Sequence, residues 1–173
     1  MHCTMSSTKE QLVSKFGLLP HPEGGFYSET YRSDESVETH RGNRSASTAI
    51  YFLVESRNVS RLHRIAADEC WHFYCGSPLV VVELDERTKL HKETVLGADI
   101  AGGQHVQHFV RRNTWFGCHL LGGAANDSFC FVGCTVAPGF DFADFELGSR
   151  AYLMENFDES SHEAIMKLTE GLP

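Results

Sequence analysis

Residues 60–76 of the chain read SRLHRIAADECWHFYCG, a pattern typical of two short strands joined by a tight acidic turn. The first strand carries His63, and the second begins with Glu69 and continues in aromatic residues. Side chains alternate between the two faces of a strand, so Glu69, Trp71 and Phe73 share one face of the second strand. If His63 looks the same way, an imidazole and a carboxylate share an aromatic-walled space of the kind in which proteins bind small molecules.

The rest of the chain repeats this short-strand pattern. We predict strands over residues 25–32, 48–55, 61–65, 69–75, 79–86, 91–96, 104–110, 114–120 and 128–136, with a further edge segment over 140–147. Many short strands separated by turn residues are typical of an antiparallel sandwich or barrel. The sequence shows neither a strand–helix alternation nor a phosphate-binding glycine motif.

Helices are predicted only near the two ends of the chain. Ser7 and Glu10 have the spacing of a capping box, which indicates a helix over residues 8–16. Ser160 begins a second capping box, which indicates a C-terminal helix. The predicted organisation is a helical extension over 1–17, one main domain over 18–157, and a C-terminal helix over 158–173 packed on the same domain.

Composition narrows the class of protein. The 173 residues are 42% hydrophobic and 22% charged, which fits one soluble globular domain. The formal net charge of −8 offers no basic surface for nucleic acid or for an anionic membrane. Because no apolar run approaches the roughly 18 residues of a membrane span and the N-terminus has no hydrophobic signal core, we expect a cytoplasmic protein. Among the six cysteines there is no Cys-x-x-Cys pair, so buried reduced thiols are expected and a structural zinc site is the alternative.

Several stretches resemble one protein family. His63, Glu69 and Gly76 are similar to the first motif of the cupin superfamily, in which a His-x-His pair precedes a glutamate and, after six intervening residues, a glycine. The stretches that resemble one uncharacterised cupin family with an RmlC-like fold are LPHPEGGFY (19–27), TAIYFL (48–53), TWFG (114–117) and GCTVAPGFDF (133–142). The resemblance implies an all-β fold, a single cupin (RmlC-like jelly-roll) β-barrel with short N- and C-terminal helices. It also implies a homodimer in which the N-terminal arm packs on the partner subunit.

Three interpretations of His63 and Glu69 remain open, and the first two need no proton transfer. In the first, the two side chains are a hydrogen-bonded polar pair without chemistry. In the second, they bind a first-row divalent metal, which requires three or more protein ligands. The resemblance places Ile65 and Phe116 at two positions where metal-binding cupins have histidine. We therefore predict no metal cofactor; if a metal binds, its ligands are His63 and Glu69.

The third interpretation is metal-free acid–base chemistry. Residues 61–63 resemble the strand that carries the catalytic base in sugar-nucleotide 3,5-epimerases of the same superfamily. Histidine, with an ordinary pKa of about 6.5, exchanges protons at neutral pH, and a neighbouring carboxylate can orient its ring. In this interpretation His63 is the base, Glu69 is its orienting or acidic partner, and Tyr51 is a second acid.

Other side chains are candidates for contacts with a ligand. The candidate substrate-binding residues are Trp71, Phe73, His72, Trp115 and Phe116. Core packing is the alternative for each aromatic residue. His72 has the opposite parity to Glu69, so it reaches the same space only if a bulge turns it inward.

Two irregular segments have open roles. The turn residues of 21–25 either deliver His21 or Glu23 to the barrel mouth or form a simple turn. The polar segment 33–47 is predicted to be a loop, either a flexible lid or plain surface.

The preferred function is binding of a small molecule, with a sugar or nucleotide sugar as the favoured ligand, together with isomerase or epimerase activity. The alternative is a non-enzymatic ligand-binding or structural cupin, and the third choice is a metal-dependent oxygenase. The expected partners are the small-molecule ligand and a second copy of the chain, with no nucleic acid and no membrane.

Overall fold

The computed structural model describes residues 8–56, 58–122 and 127–169. Its helices are α1 (Lys9–Phe16), α2 (Arg150–Asn156) and α3 (His162–Leu168), with 3₁₀ turns at Phe142–Asp144 and Glu159–Ser161. Its strands are β1 (Leu19–Pro20), β2 (Phe26–Arg32), β3 (Ser36–Thr39), β4 (Gly42–Ser45), β5 (Thr48–Glu55), β6 (Ser60–Ile65), β7 (Asp68–Gly76), β8 (Leu79–Leu84), β9 (His91–Leu96), β10 (Gln107–Val110), β11 (Trp115–Leu120), β12 (Phe129–Ala137) and β13 (Phe145–Leu147).

The strands form two antiparallel sheets and one separate hairpin. The first sheet has the order β1-β2-β5-β12-β7-β10, and the second has the order β13-β6-β11-β8-β9. β3 and β4 pair only with each other among the described strands. The predicted all-β jelly-roll barrel with short terminal helices is confirmed.

The core lies between the inner faces of the two sheets and continues under the helices. Phe52 and Trp71 of the first sheet pack in one buried cluster with Phe116 of the second. On the outer side of the first sheet, Leu12 of α1 covers a smaller cluster. The outer side of the second sheet is covered by apolar residues of α2 and α3 such as Leu153. Because both sides of the second sheet are covered, β8 can be an almost continuous apolar run rather than an alternating one.

The predicted strands are all present, with shifts at their ends. The segment predicted over 79–86 ends at Leu84, and the one predicted over 104–110 begins at Gln107. The predicted loop over 33–47 is wrong, because it contains the β3–β4 hairpin. Within the predicted edge segment 140–147, only Phe145–Leu147 is a strand.

The helix ends also differ from the prediction. The N-cap of α1 is Thr8, whose side chain accepts from the Gln11 N–H while the Gln11 side chain accepts from the Thr8 N–H. The predicted cap Ser7 lies outside the described residues, as do the rest of 1–7 and residues 170–173. Ser161 makes no side-chain cap bond to α3, and its hydroxyl lies 3.2 Å from His91 Nδ1 instead. None of the helices within the described ranges is long and apolar enough to cross a membrane.

Candidate functional site

A cavity of about 340 Å³ is lined mainly by the inner face of the first sheet and by β6 of the second. Two irregular segments, 21–23 and 140–142, complete its wall. The lining residues are His21, Glu23, Tyr27, Glu29, Arg32, Thr48, Ile50, Phe52, His63, Ile65, Glu69, Cys134, Val136, Phe140, Asp141 and Phe142. His63 and Glu69 therefore share one buried space, as the strand alternation predicts.

The segment before β2 is a tight turn that also points two side chains into the cavity. The Gly24 N–H donates to the His21 carbonyl at 3.0 Å, and Gly24 has a φ of +111°. A Cβ at this position would collide with the Val59 carbonyl, so the turn requires glycine. The Arg61 N–H donates to the Glu23 carbonyl at 2.8 Å, which fixes the turn against β6. The two alternatives for this segment, a turn or delivery of polar side chains, are thus both realised.

Glu23 is a buried carboxyl group that connects three polar side chains. The Ser60 hydroxyl donates to Glu23 Oε1 at 2.7 Å. Glu23 Oε2 lies 3.2 Å from His63 Nε2 and 3.3 Å from His21 Nδ1. The expected pairing of His63 with Glu69 is therefore corrected: the carboxyl group on the His63 ring belongs to Glu23, because the turn is anchored beside β6.

His63 uses both ring nitrogens within the protein. Nδ1 lies 2.7 Å from the Arg61 carbonyl oxygen, which can only accept, so the neutral ring carries its proton on Nδ1 and presents a lone pair at Nε2. Burial lowers the pKa of His63 to about 4 and raises the pKa of Glu23. Both directions favour uncharged groups, with the Glu23 carboxyl donating its proton to Nε2. The pair thus holds one transferable proton between Oε2 and Nε2.

Glu69 is the second carboxyl group of the cavity floor. Burial raises the pKa of Glu69 to about 8, and a hydrogen bond from the Cys134 thiol opposes the rise. At neutral pH the Glu69 side chain is therefore largely a neutral carboxylic acid. A proton donor and a proton-holding pair face the same space, which is an arrangement suited to acid–base chemistry.

The walls of the cavity are aromatic, but the rings differ from those predicted. Tyr27, Phe52, Phe140 and Phe142 line it. The His21 ring contacts Tyr27 edge-on at 4.6 Å between centroids and stacks on Phe142 at 6.1 Å. Sequence reasoning missed Tyr27, Phe52, Phe140 and Phe142 as site residues. The available signal was their position in the stretches 19–27, 48–53 and 133–142, which carried the family resemblance.

Tyr51 does not reach the cavity, and the expectation of a second acid at this position is wrong. Ile50 and Phe52 line the cavity, so the alternation of β5 turns Tyr51 to the outer face of the sheet. There its ring packs against Phe16 of α1, 4.7 Å between centroids, and against Phe131.

His72 and Trp115 also lie away from the cavity. His72 Nε2 is 3.1 Å from the Thr135 hydroxyl on the outer face of the first sheet, because no bulge turns His72 inward. Trp115 packs on the outer side of the second sheet, with the Arg64 guanidinium 4.4 Å from its ring centroid. Neither side chain lines the candidate site.

Trp71, Phe73 and Phe116 are core residues, which was the alternative given for them. Trp71 and Phe116 are buried between the sheets with ring centroids 6.3 Å apart, and Phe73 packs against the same cluster. The Phe116 ring lies 4.1 Å from the ring of His63 and supports it from the core. None of the three lines the cavity.

The donor set of the cavity does not fit a metal ion. Within the described residues, no group of three or more His, Cys, Asp and Glu side chains is arranged to hold one. Ile65 and Phe116 place hydrocarbon where the metal-binding cupin pattern has imidazole, and Glu23 already bonds to Ser60 and His63. The prediction that the protein has no metal cofactor stays a prediction.

A jelly-roll of two antiparallel sheets with an ionisable site inside the barrel defines a protein of the cupin class. The family described as "Cupin superfamily (DUF985)" matches residues 10–148, and the chain belongs to it. The predicted membership in an uncharacterised cupin family is confirmed.

Solved structures and a curated relative agree with this membership. A hypothetical protein from Leishmania major is 35% identical, with a TM-score of 0.82 over 93% of this chain and 97% of that one. A protein from Shewanella oneidensis is 33% identical, with a TM-score of 0.83 over 94% of this chain and 97% of that one. An uncharacterised protein of Saccharomyces cerevisiae is 28% identical over an alignment length of 157, and the match covers 80% of this chain and 74% of the yeast protein. The cupin fold supports small-molecule binding in general terms.

Proposed function

We propose that this cupin binds a small sugar-like carbonyl compound in the barrel and isomerises or epimerises it by proton transfer. The observation that carries the proposal is the placement of the Glu23–His63 pair and the Glu69 carboxyl on one buried cavity. Such a reaction needs one group that accepts a proton from the substrate and a second group that donates a proton to it.

In the proposed step, the substrate loses a proton from the carbon next to its carbonyl group. The Glu23 carboxyl passes its own proton to His63 Nε2 and accepts the substrate proton on Oε2, so the pair gains one proton. Glu69 gives its proton to the carbonyl oxygen, so an enediol forms without an oxidant or a reductant. The Glu23–His63 pair then returns one proton to the neighbouring carbon or to the opposite face of the same carbon. An enediol hydroxyl gives its proton back to Glu69, so both groups are restored and the isomerisation or epimerisation is complete.

The remaining contacts position the pair. The Ser60 hydroxyl holds Glu23 Oε1, and the Arg61 carbonyl fixes the tautomer of His63. Phe116, against the His63 ring, restricts the rotation of the imidazole. These contacts keep Nε2 directed at Glu23, so the proton acceptor is organised before the substrate arrives.

The test is proton exchange in deuterated water, with a panel of free and nucleotide-linked sugars, followed by NMR and mass spectrometry. The wild type is expected to exchange the hydrogen next to the carbonyl, and His63→Asn is expected to lower the rate by ~10²–10⁴-fold. His72→Asn makes the same substitution on the outer face and should leave the rate unchanged. Equal exchange by wild type and His63→Asn, or no exchange across the panel, would overturn the proposal.

A second candidate function is non-enzymatic ligand binding. The observation in its favour is that both ring nitrogens of His63 are bonded within the protein, as in a purely structural histidine. Ligand binding without any His63-dependent exchange is its expected signature. The metal-dependent oxygenase is not favoured, since the donor set does not fit.

A further inference from the structure

The mouth of the cavity carries more negative than positive charge. The exposed charged residues that line it are Glu29, Arg32 and Asp141. In the described part of the chain, Arg32 is the only lysine or arginine among the lining residues. One positive and two negative side chains leave this rim with a formal charge of −1. An approaching anion is therefore repelled rather than steered inward.

Most N–H groups of Arg32 are already engaged and are not free to bind an anion. Its Nε and Nη2 donate to the two carboxylate oxygens of Glu29 at 2.9 and 2.7 Å. Its Nη1 donates to the Phe140 carbonyl at 3.2 Å. Three of the five N–H groups of a guanidinium are thus engaged, including the two that bind a carboxylate in parallel. A phosphate group would have to displace Glu29 to make the same bidentate contact.

The β3–β4 hairpin carries two further arginines, and both form an ion pair with a carboxylate. Arg41 Nη1 and Arg44 Nε lie 2.7 and 2.8 Å from one oxygen of Asp144. The floor of the cavity adds the carboxyl groups of Glu23 and Glu69 and no guanidinium or ammonium group among the described lining residues. A buried phosphate or carboxylate would find no positive charge to pair with on the floor, and burying an unpaired charge is costly.

The rest of the cavity suits an uncharged molecule with hydroxyl groups. Phe52, Phe140 and Phe142 offer ring faces to apolar C–H surfaces. Glu69 can both donate and accept a hydrogen bond on the floor. A cation is less well served, since both oxygens of Glu23 are already engaged by Ser60 and His63.

We infer that the cavity selects an uncharged polyhydroxy carbonyl compound, such as a free sugar, and rejects its phosphorylated and nucleotide-linked forms because Glu29 occupies Arg32 at the rim. This inference names the substrate class of the proposed function and rests on it. Glu29 thereby acts as a specificity-determining residue that touches the entrance rather than the reacting atoms.

The first experiment uses pyrophosphate as the anionic probe and follows its ³¹P line width during titration with the protein. The wild type is expected to leave the line unchanged, whereas Glu29→Gln, which frees Arg32, should bind at least about tenfold more tightly. Glu163→Gln removes one exposed carboxylate from α3 and serves as the matched control, with no gain expected. Pyrophosphate binding by the wild type equal to that of Glu29→Gln would overturn the inference.

The second experiment measures saturation-transfer NMR for free pentoses and hexoses, their phosphates and their amino derivatives. Signals are expected from at least one uncharged sugar and from neither its phosphate nor its amine. Signals only from a phosphate or only from an amine, or from no uncharged sugar, would overturn the inference. A phosphorylated or nucleotide-linked sugar that shows His63-dependent exchange would refute the substrate class and leave the proton-transfer proposal standing. An uncharged sugar that binds without proton exchange would support the substrate class and refute the proton-transfer proposal.

Discussion

At the scale of single residues, the cavity holds two ionisable groups whose pKa values move in opposite directions. Burial raises the pKa of Glu69 to about 8 and lowers the pKa of His63 to about 4. In the unfolded chain these groups titrate near about 4.3 and 6.5. Between about pH 4.3 and pH 8, folding therefore takes up protons at Glu69. Between about pH 4 and pH 6.5, folding releases protons from His63. The native state prefers both groups uncharged.

The raised pKa of Glu69 predicts how the stability of the protein changes with pH. Between about pH 4.3 and 8 the native state binds more protons at Glu69 than the unfolded chain, so this group makes stability fall as pH rises. Glu69→Gln cannot ionise and lacks this loss. The free energy of unfolding of Glu69→Gln minus that of the wild type should therefore increase by a few kcal/mol between pH 5 and pH 8, at about 1.4 kcal/mol per pKa unit. Urea unfolding of both proteins at the two pH values measures the difference.

His63 does not disturb this comparison, because it is present in both proteins. Glu163→Gln on the surface of α3 is the control and should follow the wild type at both pH values. If Glu69→Gln and the wild type show the same pH dependence, Glu69 titrates near its ordinary value and is not the neutral acid proposed here.

The sequence predicted correctly that His63 and Glu69 point to the same side, because side chains alternate along a strand. It did not predict the partner of His63, which is distant in the chain. The inward direction of His63 and Glu69 follows from alternation on two adjoining strands. The partner of His63 could not be derived, since Glu23 lies 40 positions earlier on an irregular turn whose path depends on Gly24. Tyr51 was misplaced because the family-like stretch that contains it does not reveal which parity of β5 faces inward.

At the scale of elements, the β3–β4 hairpin is joined to the cavity wall by the Asp144 carboxylate and by a hydrogen bond from the Gly139 N–H to the Ser45 carbonyl at 2.7 Å. Asp144 accepts from Arg44 Nε and Nη2 at 2.8 and 2.9 Å and lies 2.7 Å from Arg41 Nη1. Arg41 Nη2 also donates to the Ala66 carbonyl at 2.7 Å. Asp144 lies two residues after the 140–142 segment that lines the cavity. The hairpin and the cavity wall are thus joined through the same short stretch of chain.

This arrangement predicts the effect of Asp144→Asn. The change removes the negative charge between two arginines, so the hairpin should loosen and the free energy of unfolding should fall by about 1–3 kcal/mol. Hydrogen exchange of the amides in 36–45 should accelerate. Glu38→Gln removes an exposed charge from the same hairpin and should change neither quantity. Unchanged protection of 36–45 in Asp144→Asn would show that the Asp144 ion pairs do not hold the hairpin.

Element prediction from sequence worked for the nine apolar strands and failed for this hairpin. The strands of the two sheets carry the alternating or continuous apolar residues that the prediction uses. Segment 33–47 is polar and looks like a loop, and some of its contacts are ion pairs to Asp144, about 100 residues later in the chain. The pattern of apolar and polar residues within a segment does not reveal such distant contacts.

At the scale of the whole molecule, the first sheet ends in an incompletely covered edge. β1 pairs only with Phe26 and Tyr27, so the outer edge of β2 over 28–32 has no partner strand in the described part of the chain. Leu19 and Tyr31 are 65% and 54% exposed on this side. An open edge beside exposed apolar side chains is a surface that proteins usually cover. A second copy of the chain can cover it by antiparallel pairing of the two β2 strands.

We therefore expect a homodimer with a total buried area above about 1,000 Å². Light scattering at micromolar concentration should give twice the chain mass of 19.4 kDa. Tyr31→Lys should shift the protein to monomer, because paired β2 edges bring two like charges together and lysine protects strand edges from pairing. Tyr152→Lys makes the same change on α2, where the tyrosine is also exposed, and should leave the dimer intact. A monomeric wild type, or a dimer that survives Tyr31→Lys, would show that the open edge of β2 is not where two copies meet.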